Sequence, residues 1–190
     1  MEYSNTMKIE MSNNNEAMKA MEIIKTVITT NKESYNKCYS NDASAMLLEA
    51  IEINDNCLVI SEEEFGCFTP EDTEAFTDII ETIASQLKTA FVAEIISVST
   101  YSEKWIEATC DGKELNVKKT YFPSGFSTTA YCEECDEEIA LFEEIEVAPN
   151  KYEIRIFEEV ASGTYTCPNC GEEIDLSEEL PIIETVVKNI

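Results

Sequence analysis

The spacing of apolar and polar positions changes several times along the first part of the chain. Residues 3–11 alternate, with Met7 and Ile9 on one face, and this pattern predicts a strand. After the polar run 12–15, apolar residues recur at helical spacing until Asn31, and an asparagine can cap the start of this helix. The stripe that the helix would bury comprises Ala17, Met21, Ile24 and Ile28.

A hairpin and a second helix follow in the pattern. The apolar runs 45–53 and 57–61 flank Asn54-Asp55-Asn56, which predicts two strands joined by a tight turn. The next helix begins at Thr69-Pro70, because threonine caps helices well and proline suits the first helical position. Its predicted buried face comprises Phe76, Ile80, Ile83 and Leu87.

Three more apolar runs, 91–101, 105–110 and 114–122, predict a strand meander whose second turn is Asp111-Gly112. The element order is therefore β-α-β-β-α-β followed by an extra hairpin. The first six elements match the split βαβ arrangement, so we expect an α+β domain of ferredoxin-like type over residues 1–122. That fold hosts many unrelated activities and predicts none of them.

Cysteines and glutamates dominate the remaining segment, 123–190, which begins with the pattern break Pro123-Ser124-Gly125. Two Cys-x-x-Cys pairs each bring two thiolates within reach of one metal, and together they complete a tetrahedral four-cysteine site. The residues that follow the pairs repeat at an offset of 35, as Cys-Asp-Glu-Glu-Ile at 135–139 and Cys-Gly-Glu-Glu-Ile at 170–174. The predicted ligands are Cys132, Cys135, Cys167 and Cys170.

This segment resembles a zinc ribbon, in which two similar cysteine knuckles face each other across the metal. The resemblance implies a small β domain with a structural Zn²⁺, since four cysteine ligands leave no position open for chemistry. The 31 residues between the knuckles exceed the common gap of about 15–20. Two strand-like runs, 140–147 and 152–160, lie in this gap, and a longer hairpin would absorb the excess.

The other interpretation of these pairs is a thioredoxin-like redox site, which expects a βαβ context that neither pair has. The remaining four cysteines show no paired spacing, and we expect them to be small buried apolar residues rather than a second metal site. They are Cys38, Cys57, Cys67 and Cys110.

Composition removes whole classes of function. The 190 residues include 39 acidic and 13 basic side chains, a net charge of −26, and no histidine. Mechanisms that need an imidazole are therefore excluded, and direct nucleic-acid binding is disfavoured because phosphate contacts need clustered lysine and arginine. The start of the chain lacks the regions of a signal peptide, and no apolar run approaches the roughly 18–20 residues of a membrane span. We expect a protein of the bacterial cytoplasm that binds neither membrane nor nucleic acid directly.

The acidic residues are concentrated in doublets. Segment 123–190 has 17 acidic and 3 basic residues, against 22 and 10 in segment 1–122. Solubility is the plain interpretation of such runs, yet a charge of this size also costs stability through self-repulsion. Our hypothesis is that the acidic surface imitates nucleic acid and occupies a basic groove. The predicted contact residues are Glu62, Glu63, Glu64, Glu133, Glu134, Glu137, Glu138, Glu143, Glu144, Glu158, Glu159, Glu172 and Glu173.

Small size, extreme acidity and the lack of a catalytic motif resemble the phage-borne anti-CRISPR inhibitors and antirestriction DNA mimics. The resemblance implies a non-enzymatic inhibitor whose partner is a basic nucleic-acid-binding protein. The expected target is an RNA-guided nuclease of the type II CRISPR kind, which holds the guide–target duplex in a positively charged channel.

Two other functions fit the sequence. The apolar, near-neutral tail 180–190, if exposed, suits a zinc-ribbon adaptor that docks on a protein partner or joins two copies. The plainer interpretation, which we favour slightly, is that the tail packs back on its own domain. Carboxylates could also hold Mg²⁺ in a nuclease or phosphohydrolase. No subset of carboxylates stands out, however, and Arg155 is the only arginine available to clamp a phosphate.

Overall fold

The computed structural model describes residues 3–33, 43–62, 74–149 and 151–190. They form two compact units, one of Met1–Tyr121 with Ile183–Ile190 and one of Phe122–Ile182. The protein is a mixed α+β chain dominated by antiparallel strands, and the predicted α+β class is confirmed. The helices are α1 (Asn14–Thr30), α2 (Ala43–Glu49) and α3 (Glu74–Leu87). In these ranges no helix is long and apolar enough to cross a membrane.

The strands lie in four sheets. In chain order they are β1 (Tyr3–Met11), β2 (Ile51–Asn54), β3 (Cys57–Glu62), β4 (Ala90–Ser99), β5 (Glu103–Asp111), β6 (Glu114–Phe122), β7 (Thr129–Tyr131), β8 (Glu138–Ala140), β9 (Phe142–Ala148), β10 (Lys151–Ile156), β11 (Thr164–Thr166), β12 (Glu173–Asp175) and β13 (Ile182–Asn189).

The first unit is built on a seven-stranded sheet with the order β13-β6-β5-β4-β1-β3-β2. Strand β1 runs antiparallel to both of its neighbours, so that Met7 lies opposite Ile60 of β3 and Ile95 of β4. These three side chains point to the same face and are buried in one core with the apolar sides of α1 and α3. The predicted alternation of β1 is confirmed.

Helix α1 begins and ends where its sequence predicts. The Asn13 side chain accepts a hydrogen bond from the Glu16 N–H at 3.1 Å and caps the helix. The Asn31 N–H donates to the Val27 carbonyl at 3.0 Å and closes the last turn. The buried stripe comprises Ala17, Ala20, Ile24 and Ile28, while Met21 is only half-buried.

The prediction of a strand over 45–53 is wrong in its first half. Residues 43–49 form α2, which places Leu47 in the core, and strand β2 begins only at Ile51. The physical reason is composition, because alanine, methionine, leucine and glutamate favour helices whereas the isoleucines that follow favour strands. The predicted turn is confirmed: Asp55 has φ 52°, and Ile53 lies opposite Leu58.

Helix α3 presents a broader apolar face than the sequence pattern suggested. Its buried side chains include Phe76, Ile80 and Ile83, as predicted, together with Ile79 and Ala84. Leu87 is half-buried against the same core. The predicted start at Thr69-Pro70 lies outside the described residues.

The meander β4–β5–β6 closes at the predicted turn after Asp111. The Asp111 carboxylate accepts the backbone N–H groups of Lys113 and Glu114, each at 2.8 Å. The Glu114 N–H, and after it the Lys113 N–H, hold the pKa of the Asp111 carboxyl below its ordinary value. Gly112 follows with φ 90°, a left-handed conformation that suits glycine.

The tail does not belong where the sequence analysis placed it. The predicted second domain ran to residue 190, but Ile183–Ile190 are part of the first unit. Strand β13 lies beside β6, and the Ile190 N–H donates to the Lys113 carbonyl at 2.9 Å, so the two strands run in opposite directions. Lys188 forms an ion pair with Glu81 of α3, and Ile190 packs against the core. A strand joins whichever sheet edge can pair with it, and local sequence does not specify that edge.

Candidate metal centre

Two short hairpins in the unit Phe122–Ile182 carry the predicted cysteine knuckles. Strand β7 pairs antiparallel with β8, and β11 pairs with β12. One Cys-x-x-Cys turn connects each pair of strands, so each hairpin delivers two thiols at one end. The site is therefore built from two copies of one supersecondary element.

The backbone is folded in the same way at both knuckles. The Cys132 N–H donates to the Glu137 carbonyl at 2.9 Å, and the Cys167 N–H donates to the Glu172 carbonyl at 2.8 Å. A tighter turn lies inside each of these loops. The Asp136 N–H donates to the Cys132 carbonyl, and the Gly171 N–H donates to the Cys167 carbonyl, each at 2.8 Å. These closed turns give the two knuckles the same backbone geometry.

A left-handed residue ends each knuckle. Asp136 has φ 56° and Gly171 has φ 78°, and the two positions correspond at the offset of 35. Glycine adopts this conformation without steric cost, and aspartate is among the residues that tolerate it. The recurring Cys-x-x-Cys-Asp/Gly pattern thus has a backbone reason.

The four predicted ligands converge. The Cys132 and Cys170 sulfurs lie 3.6 Å apart, those of Cys135 and Cys167 lie 3.5 Å apart, and all four lie within 4.8 Å of one another. A tetrahedral metal with bonds of about 2.3 Å would separate its sulfur ligands by about 3.8 Å. A disulfide would need about 2.05 Å, so these spacings fit a shared metal ion and not cross-linked cysteines.

Local backbone groups prepare one of the sulfurs to bind a cation. The N–H of Cys170, followed by that of Asn169, lowers the pKa of the Cys167 thiol to about 7. Cys132 and Cys167 are buried, whereas Cys135 is half-buried and Cys170 is exposed. Against the lowering effect of the Glu172 N–H, burial and the neighbouring cysteine thiols raise the pKa of the Cys170 thiol to about 12. The thiolate is the form that binds metal, so the backbone favours that form at Cys167 and not at every ligand.

The repeat extends well beyond the five residues found in the sequence analysis. The Leu141 N–H donates to the Thr128 carbonyl at 2.8 Å, and Leu176 makes the corresponding bond to Gly163 at 2.7 Å. Both leucines are buried. The signal was present in the sequence, because further identical pairs recur at the same offset: Phe122/Phe157, Ser127/Ser162, Thr129/Thr164, Leu141/Leu176, Glu143/Glu178 and Glu144/Glu179.

A longer hairpin fills the wide gap between the knuckles, as predicted. Strands β9 and β10 pair antiparallel, with Phe142 opposite Ile156. The Phe142 ring also contacts Phe122 and Phe126, with ring centroids 5.6 Å away in both cases. This aromatic cluster gives the small unit a core in addition to its metal site.

Ten of the thirteen predicted contact glutamates belong to this unit, and nine of these ten are exposed. Glu143 is half-buried and forms an ion pair with Arg155, which lies opposite it across β9–β10. Glu63 and Glu64, together with the side chain of Glu62, lie outside the described residues. The exposed members are Glu133, Glu134, Glu137, Glu138, Glu144, Glu158, Glu159, Glu172 and Glu173.

Carboxylates from both hairpins meet at one groove of about 420 Å³. Glu133 and Glu134 line it from the first knuckle, and Glu172 and Glu173 line it from the second hairpin. Asp175 and Glu179 complete this acidic lining. The sequence repeat therefore places two sets of like charges around one concave surface.

The unpaired cysteines differ in environment. Cys110 is buried, as predicted, and burial raises the pKa of its thiol. Cys57 is only half-buried, and Cys38 and Cys67 lie outside the described residues. Neither Cys57 nor Cys110 belongs to the metal-ligating cluster.

No family model matches this chain, and no curated protein and no solved structure matches it either.

Proposed function

We propose that this protein is a non-enzymatic inhibitor of a nucleic-acid-binding effector, and that it acts through an acidic surface that imitates nucleic acid. The observation that supports the proposal is the exposure of the glutamates on the small unit Phe122–Ile182, whose two knuckles meet at the four-cysteine cluster. Residues 122–182 include 16 acidic and 2 basic side chains, a net charge of −14. One of the two bases, Arg155, is already paired with Glu143.

We also propose that the metal is zinc and that its role is structural. Four thiolates at these separations suit Zn²⁺, and a four-cysteine shell leaves no site for a substrate or an activated water. Four thiolates and one Zn²⁺ add −2, which brings the charge of −26 to about −28. The metal therefore stiffens the acidic surface without neutralising it.

For the first unit we propose a ferredoxin-like fold. The order β4-β1-β3-β2 with antiparallel neighbours supports this assignment, and β5 and β6 then form the extra hairpin. Strand β13 is a further addition at that edge. Such a scaffold carries no argument for a particular activity.

Electrostatics favour a basic groove as the binding partner. Duplex DNA carries about one negative charge per 1.7 Å of axis, and its binding proteins present grooves of lysine and arginine. An acidic protein of compact size can occupy such a groove and exclude the duplex, and long-range attraction speeds the encounter. We propose the positively charged channel of a type II RNA-guided nuclease as the target, reached in the bacterial cytoplasm.

Competition with DNA tests this proposal. A labelled target duplex is bound to the guide-loaded nuclease, and the protein is titrated in while fluorescence anisotropy reports displacement. We expect displacement at 0.05 M salt and roughly tenfold weaker competition at 0.3 M, because the attraction is screened. Absence of displacement at both salt concentrations would contradict mimicry of the duplex for this target.

A matched pair of variants locates the surface. The quadruple change of Glu137, Glu138, Glu172 and Glu173 to glutamine should weaken competition by about tenfold. The control changes four exposed glutamates of the first unit, Glu10, Glu49, Glu52 and Glu94, and alters the net charge equally. Equal losses in both variants would show a net-charge effect and would overturn the assigned surface.

A further inference from the structure

Strand β13 is an exposed apolar strand at the edge of the sheet. It is the terminal strand in the sheet order, and within the described ranges nothing pairs with its outer side. Ile182 and Val187 are 51% and 55% exposed, and Ile183 and Val186 are each 39% exposed. An apolar edge of this kind is a template for another strand unless charge or proline protects it. No proline lies within residues 182–189, and the two charged residues of the strand, Glu184 and Lys188, are opposite in sign.

The backbone groups that face outward can be identified. The Ile190 N–H points toward β6, because it donates to the Lys113 carbonyl. In an antiparallel ladder alternate residues bond to opposite sides, so 184, 186 and 188 also face β6. The N–H and C=O groups of 183, 185, 187 and 189 therefore face away from the sheet.

We propose that β13 pairs antiparallel with β13 of a second copy of this chain, about a two-fold axis at Val186. This register places 185 opposite 187 and 183 opposite 189, so the outward backbone groups of one copy meet those of the other. The two sheets then form one continuous sheet. The proposal concerns a surface distinct from the glutamate doublets and does not depend on the inhibitory function.

The charges of β13 favour a second copy of this chain as the strand that pairs with its outer edge. In the same register Glu184 of each copy lies opposite Lys188 of the other, on one face of the sheet. Self-pairing therefore forms this pair of opposite charges twice. Segment 180–190 has no net charge, in a chain of −26. Two chains of this charge repel each other overall, and contact along a segment without net charge adds little to that repulsion.

Pairing would cover part of the apolar side chains on both faces of β13. Lys188 contacts Glu81 of α3, so Val186 and Glu184 share the helix-side face with it. Ile183, Thr185 and Val187 lie on the opposite face. Pairing of two such strands covers part of each exposed side chain with its counterpart, which adds an apolar contribution to the new backbone hydrogen bonds.

The mass in solution is the first test. Sedimentation of the full chain with its metal at 1–100 μM should give a concentration-dependent mass that approaches twice 21.4 kDa. Dimerisation should become tighter as salt rises from 0.05 to 0.5 M, because salt screens the repulsion between the two acidic copies. A monomer throughout this range would overturn the proposal, including the case in which β13 binds a strand from another protein.

Charge reversals test the register. Glu184→Lys alone and Lys188→Glu alone each place like charges opposite one another, and each should weaken self-association by about tenfold. An equimolar mixture of the two variants restores both opposite-charge pairs and should dimerise, although Lys188→Glu also loses the pair with Glu81. Glu94→Lys, which makes the same charge change as Glu184→Lys at an exposed position in β4, is the matched control for that variant.

A proline variant separates pairing from folding. Val187→Pro removes an outward N–H and leaves the inward bonds to β6 in place, so the monomer should keep its circular dichroism spectrum and its metal. Its dimer should be at least tenfold weaker. A dimer that tolerates Val187→Pro and both charge reversals would use another surface and would overturn the assignment to β13.

Discussion

Gly112 is the position at which a single methyl group has the clearest steric consequence. Its φ is 90°, and a Cβ added there would lie 2.8 Å from the Lys88 carbonyl oxygen. Backbone atoms cannot move aside as a flexible side chain can, so the turn or the segment at Lys88 must shift. Two costs therefore add, one from the left-handed conformation and one from the overlap.

Gly112→Ala should lower the free energy of unfolding of the first unit by about 2–3 kcal/mol. Urea unfolding followed by the fluorescence of Trp105 in β5 measures this change. Gly125→Ala is the control, because φ is 82° there but no atom lies within 4 Å of the added carbon. It should destabilise the second unit by only about 1 kcal/mol. That unit has no tryptophan, so hydrogen exchange of its amides measures the change. Equal effects at both glycines would contradict the steric argument.

Removal of one sulfur should abolish the metal site. Cys132→Ser is expected to release the metal and to unfold the unit Phe122–Ile182, because the core of that unit is small and each knuckle holds only half of the ligand set. The first unit should keep its sheet. Metal analysis should find one zinc per chain before the change and none after it.

The control for that variant is Cys57→Ser, which alters a half-buried cysteine outside the cluster. It should retain a full equivalent of zinc. Full zinc in Cys132→Ser would show that the ligand set is wrong, and another metal in the native protein would overturn the assignment of zinc.

The secondary-structure elements were predictable wherever apolar residues kept one spacing over several helical turns or several strand residues. Helix α1, strand β1 and the hairpin β9–β10 appear at the expected positions. The short helix α2 was missed because seven residues complete only about two turns, so an apolar run of that length has no distinguishable period. The four ligands were predictable because knuckle geometry depends on residues two to five positions apart.

Deletion of residues 183–190 tests the placement of β13. The truncated chain should lose about 1–3 kcal/mol of stability in the first unit, because β6 loses a neighbour and Ile190 leaves the core. Zinc content should not change, since the ligands lie in the other unit. The two units can be followed separately by hydrogen exchange.

Lys188→Ala serves as the control, because it removes only the exposed ion pair with Glu81 and should cost less than about 1 kcal/mol. If the truncation released zinc and left the first unit unaffected, the tail would belong to the unit Phe122–Ile182, as the predicted domain boundary of 123–190 had indicated.

At the level of the whole molecule, the charge of −26 gives the two proposals opposite salt dependence. Association with a basic groove is an attraction between unlike charges, so added salt weakens it. Pairing of two copies along β13 brings like charges closer, so added salt strengthens it. A salt titration of both equilibria therefore distinguishes them even if one complex contains a dimer of this protein.

Several features follow from interactions within a few residues, so the local sequence specifies them. They are the Cys-x-x-Cys ligands, the left-handed position after each pair, the turn at Asp111-Gly112 and the cap at Asn13. The net charge follows from composition alone. The convergence of Cys132 on Cys170 and the pairing of β13 with β6 depend on groups far apart along the chain. Such contacts form only where another folded part of the chain presents a matching strand edge or ligand. For that reason residues 183–190 belong to the first unit, where β13 lies beside β6, and not to the unit Phe122–Ile182.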